Sequence, residues 1–223
     1  MKEKLILIGE GETAQLAFEY FTYDSSMTVA GFAVEERFRK TESLYGLPVV
    51  PLEMVEKHFA PTDHAAFVAI SYTQLNRVRT RLYEQIKGRG YSIASYVSSK
   101  AFVWRTAKIG ENCFILENNV IQHGVTIEDN VYLWSGNHIG HQTVIRKNTY
   151  IASHVVISGF CEIGASCFVG VNAAFNDKIT IGQDGIIGSG AVVVRDTEPG
   201  RVYVGNPAKA LDKSSFDTFG VGR

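Results

Sequence analysis

The chain has 223 residues, with 22 basic and 23 acidic side chains and a net charge of −1 at pH 7. This balance argues for neither a nucleic-acid partner nor an anionic membrane surface. The first nine residues are too short for a signal peptide and no apolar run reaches the length of a membrane span, so we expect a cytoplasmic protein without nucleic-acid or membrane partners.

The amino-terminal part, residues 1–95, is predicted to be a small α/β domain. Residues 2–9 (KEKLILIG) indicate a buried strand, and the glycine turn GEGETA connects it to a helix from Ala14 to about Tyr23. A second strand is predicted over Thr28–Val34. The following strands and helices alternate in the same way, at 48–51, 52–59, 65–71 and 73–87. This order is typical of half of a Rossmann unit.

The glycine turn is the predicted nucleotide site. Glu10 and Glu12 place negative charge where a phosphate would lie, so we expect the turn to hold the base, ribose or sugar. Glutamates after the second strand can accept hydrogen bonds from ribose hydroxyls or a base. The predicted substrate-binding residues are Gly9, Gly11, Glu12, Thr13, Glu35 and Glu36. The alternative is a tight turn of any α/β domain, followed by solvated glutamates.

The middle of the chain repeats every six residues. From Val97 to Val193 each sixth residue is apolar without an insertion, and (193 − 97)/6 = 16 steps gives 17 matches. Six is a multiple of the strand period and fits the helix period poorly. Each hexad therefore predicts a short strand and a turn, and three hexads form a triangular coil that stacks about 4.8 Å from the next. Glycines that follow the apolar residue are expected to supply positive φ at the corners. They are Gly110, Gly140, Gly164, Gly170, Gly182 and Gly188.

The three cysteines, Cys113, Cys161 and Cys167, all occupy the small-residue position of the hexad. This placement predicts inward-facing core thiols rather than disulfides or metal ligands. Reduced thiols also fit a cytoplasmic location.

Residues 18 apart stack on neighbouring coils, so one column contains His123, His141, Gly159, Asp177 and Arg195. Two outward histidines in one column predict a polar site on that edge of the prism. Because glycine leaves a notch above the second histidine, its N–H can act as an oxyanion donor to a bound carbonyl. The arginine lies where the phosphates of a long cofactor would end. Two asparagines, also 18 apart, lie beside this column: Asn119 and Asn137.

Three further residues are predicted to contact ligands. His138 points outward three residues before His141 and is placed to contact the substrate. Gly188 and Lys209 join Gly159, Asp177 and Arg195 as cofactor contacts, with Lys209 in the segment VGNPAK. An outward histidine is usually an ordinary surface residue. For each histidine considered alone, this is the alternative to a role in the site.

Together, the α/β half-domain, the hexads, Gly140-His141-Gln142, the glycine 18 residues on and VGNPAK resemble one family. It comprises the bacterial hexapeptide-repeat sugar acyltransferases of the sialic-acid O-acetyltransferase, bacillosamine N-acetyltransferase and perosamine N-acetyltransferase type. The resemblance implies a left-handed parallel β-helix over 96–197, followed by a tail, 198–223. It also implies acetyl-CoA as co-substrate, no metal, and active sites between the subunits of a homotrimer. His141 matches the catalytic histidine and Gly159 the backbone donor, whereas Gln142 replaces a commonly acidic residue.

The resemblance implies N-acetylation of a nucleotide-linked amino sugar, a 4-amino-4,6-dideoxyhexose, for surface polysaccharide or lipopolysaccharide synthesis. Histidine suits a general base near neutral pH. A sugar O-acetyltransferase would use the same residues. A zinc lyase of the β-helical carbonic anhydrase type has a differently spaced histidine pair and lacks the α/β domain, and a zinc assay would detect it. A non-catalytic assembly protein explains the fold but not the Gly159 notch.

Overall fold

The computed structural model describes residues 3–222 of the chain. These residues form two compact units, one made of residues 3–71 and 78–96 and the other of residues 72–77 and 97–222. Among the described residues, no helix combines the length and apolar character that crossing a membrane requires.

The first unit is a six-stranded sheet flanked by helices. Its strands are β1 (Lys4–Ile8), β2 (Thr28–Val34), β3 (Ser43–Leu44), β4 (Leu47–Pro51), β5 (His64–Val68) and β6 (Ser92–Ile93). Their order is β3-β4-β2-β1-β5-β6, and all pairs are parallel except the β3–β4 hairpin. The helices are α1 (Glu12–Tyr23), α2 (Val55–His58) and α3 (Arg77–Gly88), with 3₁₀ turns at Glu36–Phe38 and Leu52–Met54. The continuous apolar run of β1 follows from its central position, which buries both faces.

Several predicted elements of this unit differ from the structure. The strand expected over 65–71 is observed as His64–Val68, and the helix expected over 52–59 is a 3₁₀ turn, Leu52–Met54, followed by a short helix, Val55–His58. The strand expected over 2–9 is observed as Lys4–Ile8, and Lys2 lies outside the described residues. The helix expected over 73–87 begins only at Arg77. The preceding residues Gln74, Leu75 and Asn76 have φ of 50°, 47° and 65°, which a right-handed helix cannot contain.

The second unit contains the predicted parallel β-helix, and the expected fold class is confirmed. Strands of two residues each end on the inward residue of a hexad, and residues 18 apart pair in register, as His138 does with Val120 and Val156. The strands are β7 (Tyr96–Val97), β8 (Phe102–Val103), β9 (Lys108–Ile109), β10 (Phe114–Ile115), β11 (Val120–Ile121), β12 (Thr126–Ile127), β13 (Tyr132–Leu133), β14 (His138–Ile139), β15 (Val144–Ile145), β16 (Tyr150–Ile151), β17 (Val156–Ile157), β18 (Glu162–Ile163), β19 (Phe168–Val169), β20 (Ala174–Phe175), β21 (Thr180–Ile181), β22 (Ile186–Ile187) and β23 (Val192–Val193).

The glycines that follow the inward residues do not supply the positive φ that we expected of them. Positive φ instead occurs three residues after the inward residue, for example at Asn130, His154 and Gly136. The glycines after the inward residue are required by close approach between coils. A Cβ on Gly140 would lie 2.5 Å from the carbonyl carbon of Ser158. The hexad glycines therefore leave room for the neighbouring backbone.

The interior of the prism is mostly apolar. Ile121, Ile139 and Ile157 have no exposed surface, and burying such a side chain stabilises the fold by roughly 1.5–3 kcal/mol. The cysteines are buried as predicted, and burial raises the pKa of the Cys167 thiol to about 12, which keeps it protonated. Inward amides form a ladder, in which Asn112 Nδ2 donates to Asn130 Oδ1 at 2.8 Å.

The tail and a loop of the chain cover one face of the prism. Strand β24 (Arg201–Val204) pairs with β22, β25 (Lys209–Ser214) pairs with β24, and helix α4 (Ser215–Phe219) follows. The Tyr72 ring lies 5.0 Å from both the Tyr150 and Phe168 rings and 5.8 Å from the Phe219 ring. The outward aromatic side chains of this face are therefore part of a second core.

The loop Tyr72–Arg77 is held by specific polar contacts within the second unit. Asn76 Nδ2 donates to the carbonyl of Cys167 at 3.2 Å, and Leu75 is fully buried. Arg77 forms an ion pair with Asp184 and lies over the Phe216 ring. This explains why the left-handed backbone of the loop is maintained, since buried contacts determine it.

Candidate active site

His141 and Gly159 are in contact on neighbouring coils, as their spacing of 18 residues predicts. A Cβ on Gly159 would lie 2.5 Å from Cε1 and 2.8 Å from Nε2 of His141, so the imidazole rests directly on the glycine. The ring also meets Phe160 edge to face, with centroids 4.9 Å apart. His141 is exposed and Gly159 is buried. A basic nitrogen and a backbone amide therefore border the same small region of the surface.

Both backbone polar groups of Gly159 form hydrogen bonds within the chain. Its N–H donates to Oδ1 of Asp177 at 2.8 Å, and its carbonyl accepts the Lys178 N–H at 3.0 Å. Asp177 is exposed, as expected for a residue on the outside of the column. The predicted oxyanion role of this N–H consequently requires the carboxylate to move away first.

The His123 side chain contacts the preceding coil, on the side away from His141. Its Nδ1 lies 2.8 Å from Oγ1 of Thr106, which also accepts the Gly124 N–H at 3.0 Å. When the hydroxyl accepts from the amide, its own hydrogen can be donated to Nδ1, which favours the tautomer protonated on Nε2. His123 is therefore positioned by its own partners.

The other residues around this edge have separate roles. The Gln142 side chain lies over Gly124, where a Cβ would come within 2.7 Å of Nε2, and Gln122 Oε1 accepts the His141 backbone N–H at 2.9 Å. His138 is half-buried on β14. His154 lies over Gly136 in a different column.

The flanking asparagines are structural and not part of an outward polar site. Asn119 and Asn137 are 0% and 1% exposed. Asn137 Oδ1 accepts the Val155 N–H at 2.8 Å, and its amide donates to the carbonyl of Trp134 at 2.5 Å. These two side chains turn inward and satisfy backbone groups of the corners, so the predicted polar edge consists of the histidines without them.

The remaining predicted cofactor contacts lie at the top of the coils. Gly188 donates its N–H to the carbonyl of Tyr203 at 2.8 Å, and its own carbonyl accepts the Ala191 N–H at 3.2 Å. Both backbone polar groups of Gly188 thus have hydrogen-bond partners within the chain. Arg195 and Lys209 are exposed and available to an anionic ligand.

In the first unit, the glycine turn has the tight geometry that its sequence suggests. Gly9 has φ of 125°, and a Cβ there would lie 2.9 Å from the carbonyl oxygen of Ala69. Glu10 Oε1 accepts the Lys40 N–H at 2.6 Å. Gly11 is the N-cap of α1, and Glu12 is its first residue. The Glu10 carboxylate is therefore held by the segment after β2.

The glutamates after β2 are paired with arginines. Glu35 accepts two hydrogen bonds from Arg81, at 2.8 and 3.2 Å, and one from Arg37 at 3.2 Å. These contacts, chiefly the hydrogen bonds from Arg81, lower the pKa of the Glu35 carboxyl. Glu36 is held by Arg39 at 2.7 Å, and the same pairing lowers its pKa. The predicted ribose or base acceptors thus have protein donors already.

Within residues 3–222, no three His, Cys, Asp or Glu side chains come together as a metal site would require. Phe160, Thr106, Arg81 and the contact of Asp177 with Gly159 are parts of these sites that the sequence patterns did not indicate. The 18-residue spacing could have indicated the contact of Asp177 with Gly159, whereas Arg81 lies 46 residues from Glu35 and gives no such signal.

Part of the chain matches a family model of hexapeptide-repeat transferases. The family model described as bacterial transferase hexapeptide (six repeats) matches residues 106–141 and 125–159. The chloramphenicol acetyltransferase of Escherichia coli is 39% identical over 56 residues, which is 25% of this chain and 27% of that protein. The chain spans less than a third of the length of the curated relatives it matches.

Two solved structures resemble the chain over almost its whole length. The acetyltransferase domain of PglB from Neisseria gonorrhoeae FA1090 is 26% identical, with a TM-score of 0.83, covering 94% of this chain and 100% of that one. PerB from Caulobacter crescentus, solved in complex with CoA and GDP-perosamine, is 25% identical, with a TM-score of 0.84 and coverage of 93% and 97%. The predicted resemblance to hexapeptide sugar acyltransferases is confirmed.

Proposed function

We propose that this hexapeptide-repeat chain is an acetyl-CoA-dependent N-acetyltransferase that acts on a nucleotide-linked amino sugar in surface-glycan synthesis. The observation that carries the proposal is the His141 imidazole resting on Gly159, on a scaffold shared with PglB and PerB. The sugar is a 4-amino-4,6-dideoxyhexose such as the perosamine in the PerB complex. The proposal includes a cytoplasmic location and no resident metal.

In the proposed reaction, the sugar amine attacks the thioester carbon of acetyl-CoA. His141 takes the proton that the nitrogen loses as the C–N bond forms. The Gly159 N–H stabilises the oxyanion, which collapses as the C–S bond breaks. The CoA sulfur leaves as a thiolate and takes up the proton that His141 removed from the nitrogen, which regenerates the base. No protein residue becomes acylated, because both substrates occupy one site.

Thiol release tests this function directly. The full-length protein is incubated with acetyl-CoA and with UDP-, GDP- or dTDP-linked 4-amino-4,6-dideoxyhexoses, and free CoA is measured. We expect turnover with one amino sugar and an N-acetylated product by mass spectrometry. Turnover with the 4-hydroxy sugars in place of the amines would favour the O-acetyltransferase alternative.

The outer face formed by β8, β11, β14, β17, β20 and β23 supports a homotrimer. Its outward residues include Phe102 and Val156, which are 53% and 47% exposed, with His138 between them. The matching face of β9, β12, β15, β18 and β21 carries Lys108 and Glu162 instead. An apolar face beside the candidate site is suited to a second copy of this chain, which would complete the pocket.

We expect light scattering to give about three times 24.6 kDa, or 3 × 24.6 = 73.8 kDa. Val156→Glu should shift this mass to that of a monomer, because it buries a charge in the interface. The control Thr180→Glu, on an outward position of the polar face, should remain trimeric. A wild-type mass near that of a single chain contradicts the assembly.

The proposed nucleotide site in the first unit can be tested at Gly11. No atom lies within 4 Å of a Cβ added there, so Gly11→Leu fits the folded unit but fills the space in front of α1. We expect nucleotide-sugar affinity, measured by calorimetry, to fall by about tenfold or more, since contacts worth roughly 1.4 kcal/mol change affinity tenfold. Acetyl-CoA affinity should not change.

The matched control is Gly88→Leu, because Gly88 is equally open and lies in the same unit. It should bind both ligands as the wild type does. Equal loss in both variants, or none in Gly11→Leu, places the nucleotide elsewhere.

A further inference from the structure

The contact between Asp177 and Gly159 has a consequence for binding of the acyl donor. We propose that the Asp177 carboxylate is a displaceable cap, which occupies the Gly159 N–H in the free protein and competes with the thioester carbonyl of acetyl-CoA. The inference rests on the proposed function and deepens it by identifying a residue that sets donor affinity.

The competition follows from the position of the hydrogen bond. Gly159 has one N–H, and Asp177 Oδ1 accepts it at 2.8 Å. A carbonyl oxygen bound to that N–H needs a similar distance, between about 2.7 and 3.2 Å, and would therefore coincide with the carboxylate. The His141 ring rests on the same glycine, so this position is also the one from which a thioester carbon could be reached by a base and an oxyanion donor together.

Charge makes the exclusion stronger. A carboxylate at the N–H is negative, and the oxyanion of the reaction develops negative charge at the same place. Two like charges cannot share one hydrogen-bond donor, so the carboxylate has to be absent during the reaction. The cap thus opposes the chemistry while it is in place.

The structure also supports easy displacement. Asp177 is exposed, and within the described residues the Gly159 N–H is the hydrogen-bond partner shown for its carboxylate. The next residue anchors the chain, because the Lys178 N–H donates to the Gly159 carbonyl. Rotation of the Asp177 side chain is sufficient to free the amide, and the backbone can stay in place.

A comparable cap elsewhere in the coils provides a control. Asp129 Oδ1 accepts the Glu111 N–H at 2.9 Å, again across 18 residues. Neither His141 nor Gly159 is adjacent to it in the stacking. Loss of this cap removes the same type of contact at a distance from the candidate site.

The test is calorimetric binding of acetyl-CoA and of CoA to wild type, Asp177→Ala, Asp177→Asn and Asp129→Ala. We expect Asp177→Ala to bind acetyl-CoA about threefold to tenfold more tightly, the range expected for the net strength of one hydrogen bond. CoA lacks the acetyl carbonyl, so its affinity should not change. Asp177→Asn keeps an oxygen acceptor without the charge and should lie between wild type and Asp177→Ala.

Kinetics give a second readout. Asp177→Ala should lower the KM for acetyl-CoA with little change in kcat, since the cap is absent from both the bound complex and the transition state. Unchanged or weaker acetyl-CoA binding in Asp177→Ala overturns the inference, and so does the same tightening in Asp129→Ala. A folded wild type that binds no acetyl-CoA overturns the proposed function itself, which is a distinguishable result.

Discussion

His141→Asn is expected to lower kcat by about 10²–10⁴-fold, the usual effect of removing a general base. The side chain is exposed and lies against Gly159 and Phe160, so its replacement leaves no cavity in the prism. We therefore expect acetyl-CoA affinity and the thermal midpoint to stay close to those of the wild type. Steady-state kinetics and calorimetry on the same preparation provide the measurement.

Two other histidines serve as controls for this variant. His154→Asn changes a histidine that also rests on a glycine, Gly136, but lies in another column, and it should keep full activity. His123→Asn should have a small effect, because His123 is held by Thr106 on the side away from His141. If His141→Asn retains most of the wild-type kcat, another group accepts the proton of the amine.

Gly159→Ala is expected to reduce kcat by roughly 10²-fold, the effect of a misplacement of about 1 Å in an active site. The added Cβ would lie 2.5 Å from Cε1 and 3.0 Å from Nδ1 of His141, so the ring has to move. Because the ring is an exposed side chain, it can move without unfolding the coil. Stability should therefore change little while activity falls.

The matched control is Gly136→Ala, whose Cβ would lie 2.7 Å from the His154 ring. Gly136 has φ of 78°, so alanine there also carries a backbone cost of roughly 1–2 kcal/mol. We expect a lower thermal midpoint with normal kcat in the folded protein. Full activity in Gly159→Ala would show that the position of the imidazole against this glycine is not needed for catalysis.

The sequence by itself determined the coil architecture and the pairing of His141 with Gly159. An uninterrupted period of six keeps successive coils in one register, so a spacing of 18 residues becomes contact between neighbouring strands, whereas the handedness of the coil does not follow from the period. The same arithmetic aligned Asp177 with that column. Both conclusions follow from the sequence alone, because in a regular repeat the number of residues between two positions decides whether they stack.

Only the tertiary structure decided the features that depend on distant segments. The loop Tyr72–Arg77 packs in the second unit against Tyr150 and Phe168, and the pairing of Glu35 with Arg81 joins residues far apart in the chain. No period relates these residues, so their contacts follow from how separate elements pack.

The roles of the glycines and of the Asp177 cap also required coordinates. Glycine is selected both by positive φ and by close approach, and composition does not distinguish the two reasons. At Gly140 the reason for glycine is close approach of the neighbouring coil, since a Cβ would lie 2.5 Å from the Ser158 backbone. In the same way, the column places Asp177 beside Gly159, but only the rotamer of its side chain puts the carboxylate on the amide, because stacking sets the backbone and leaves the side-chain torsions free.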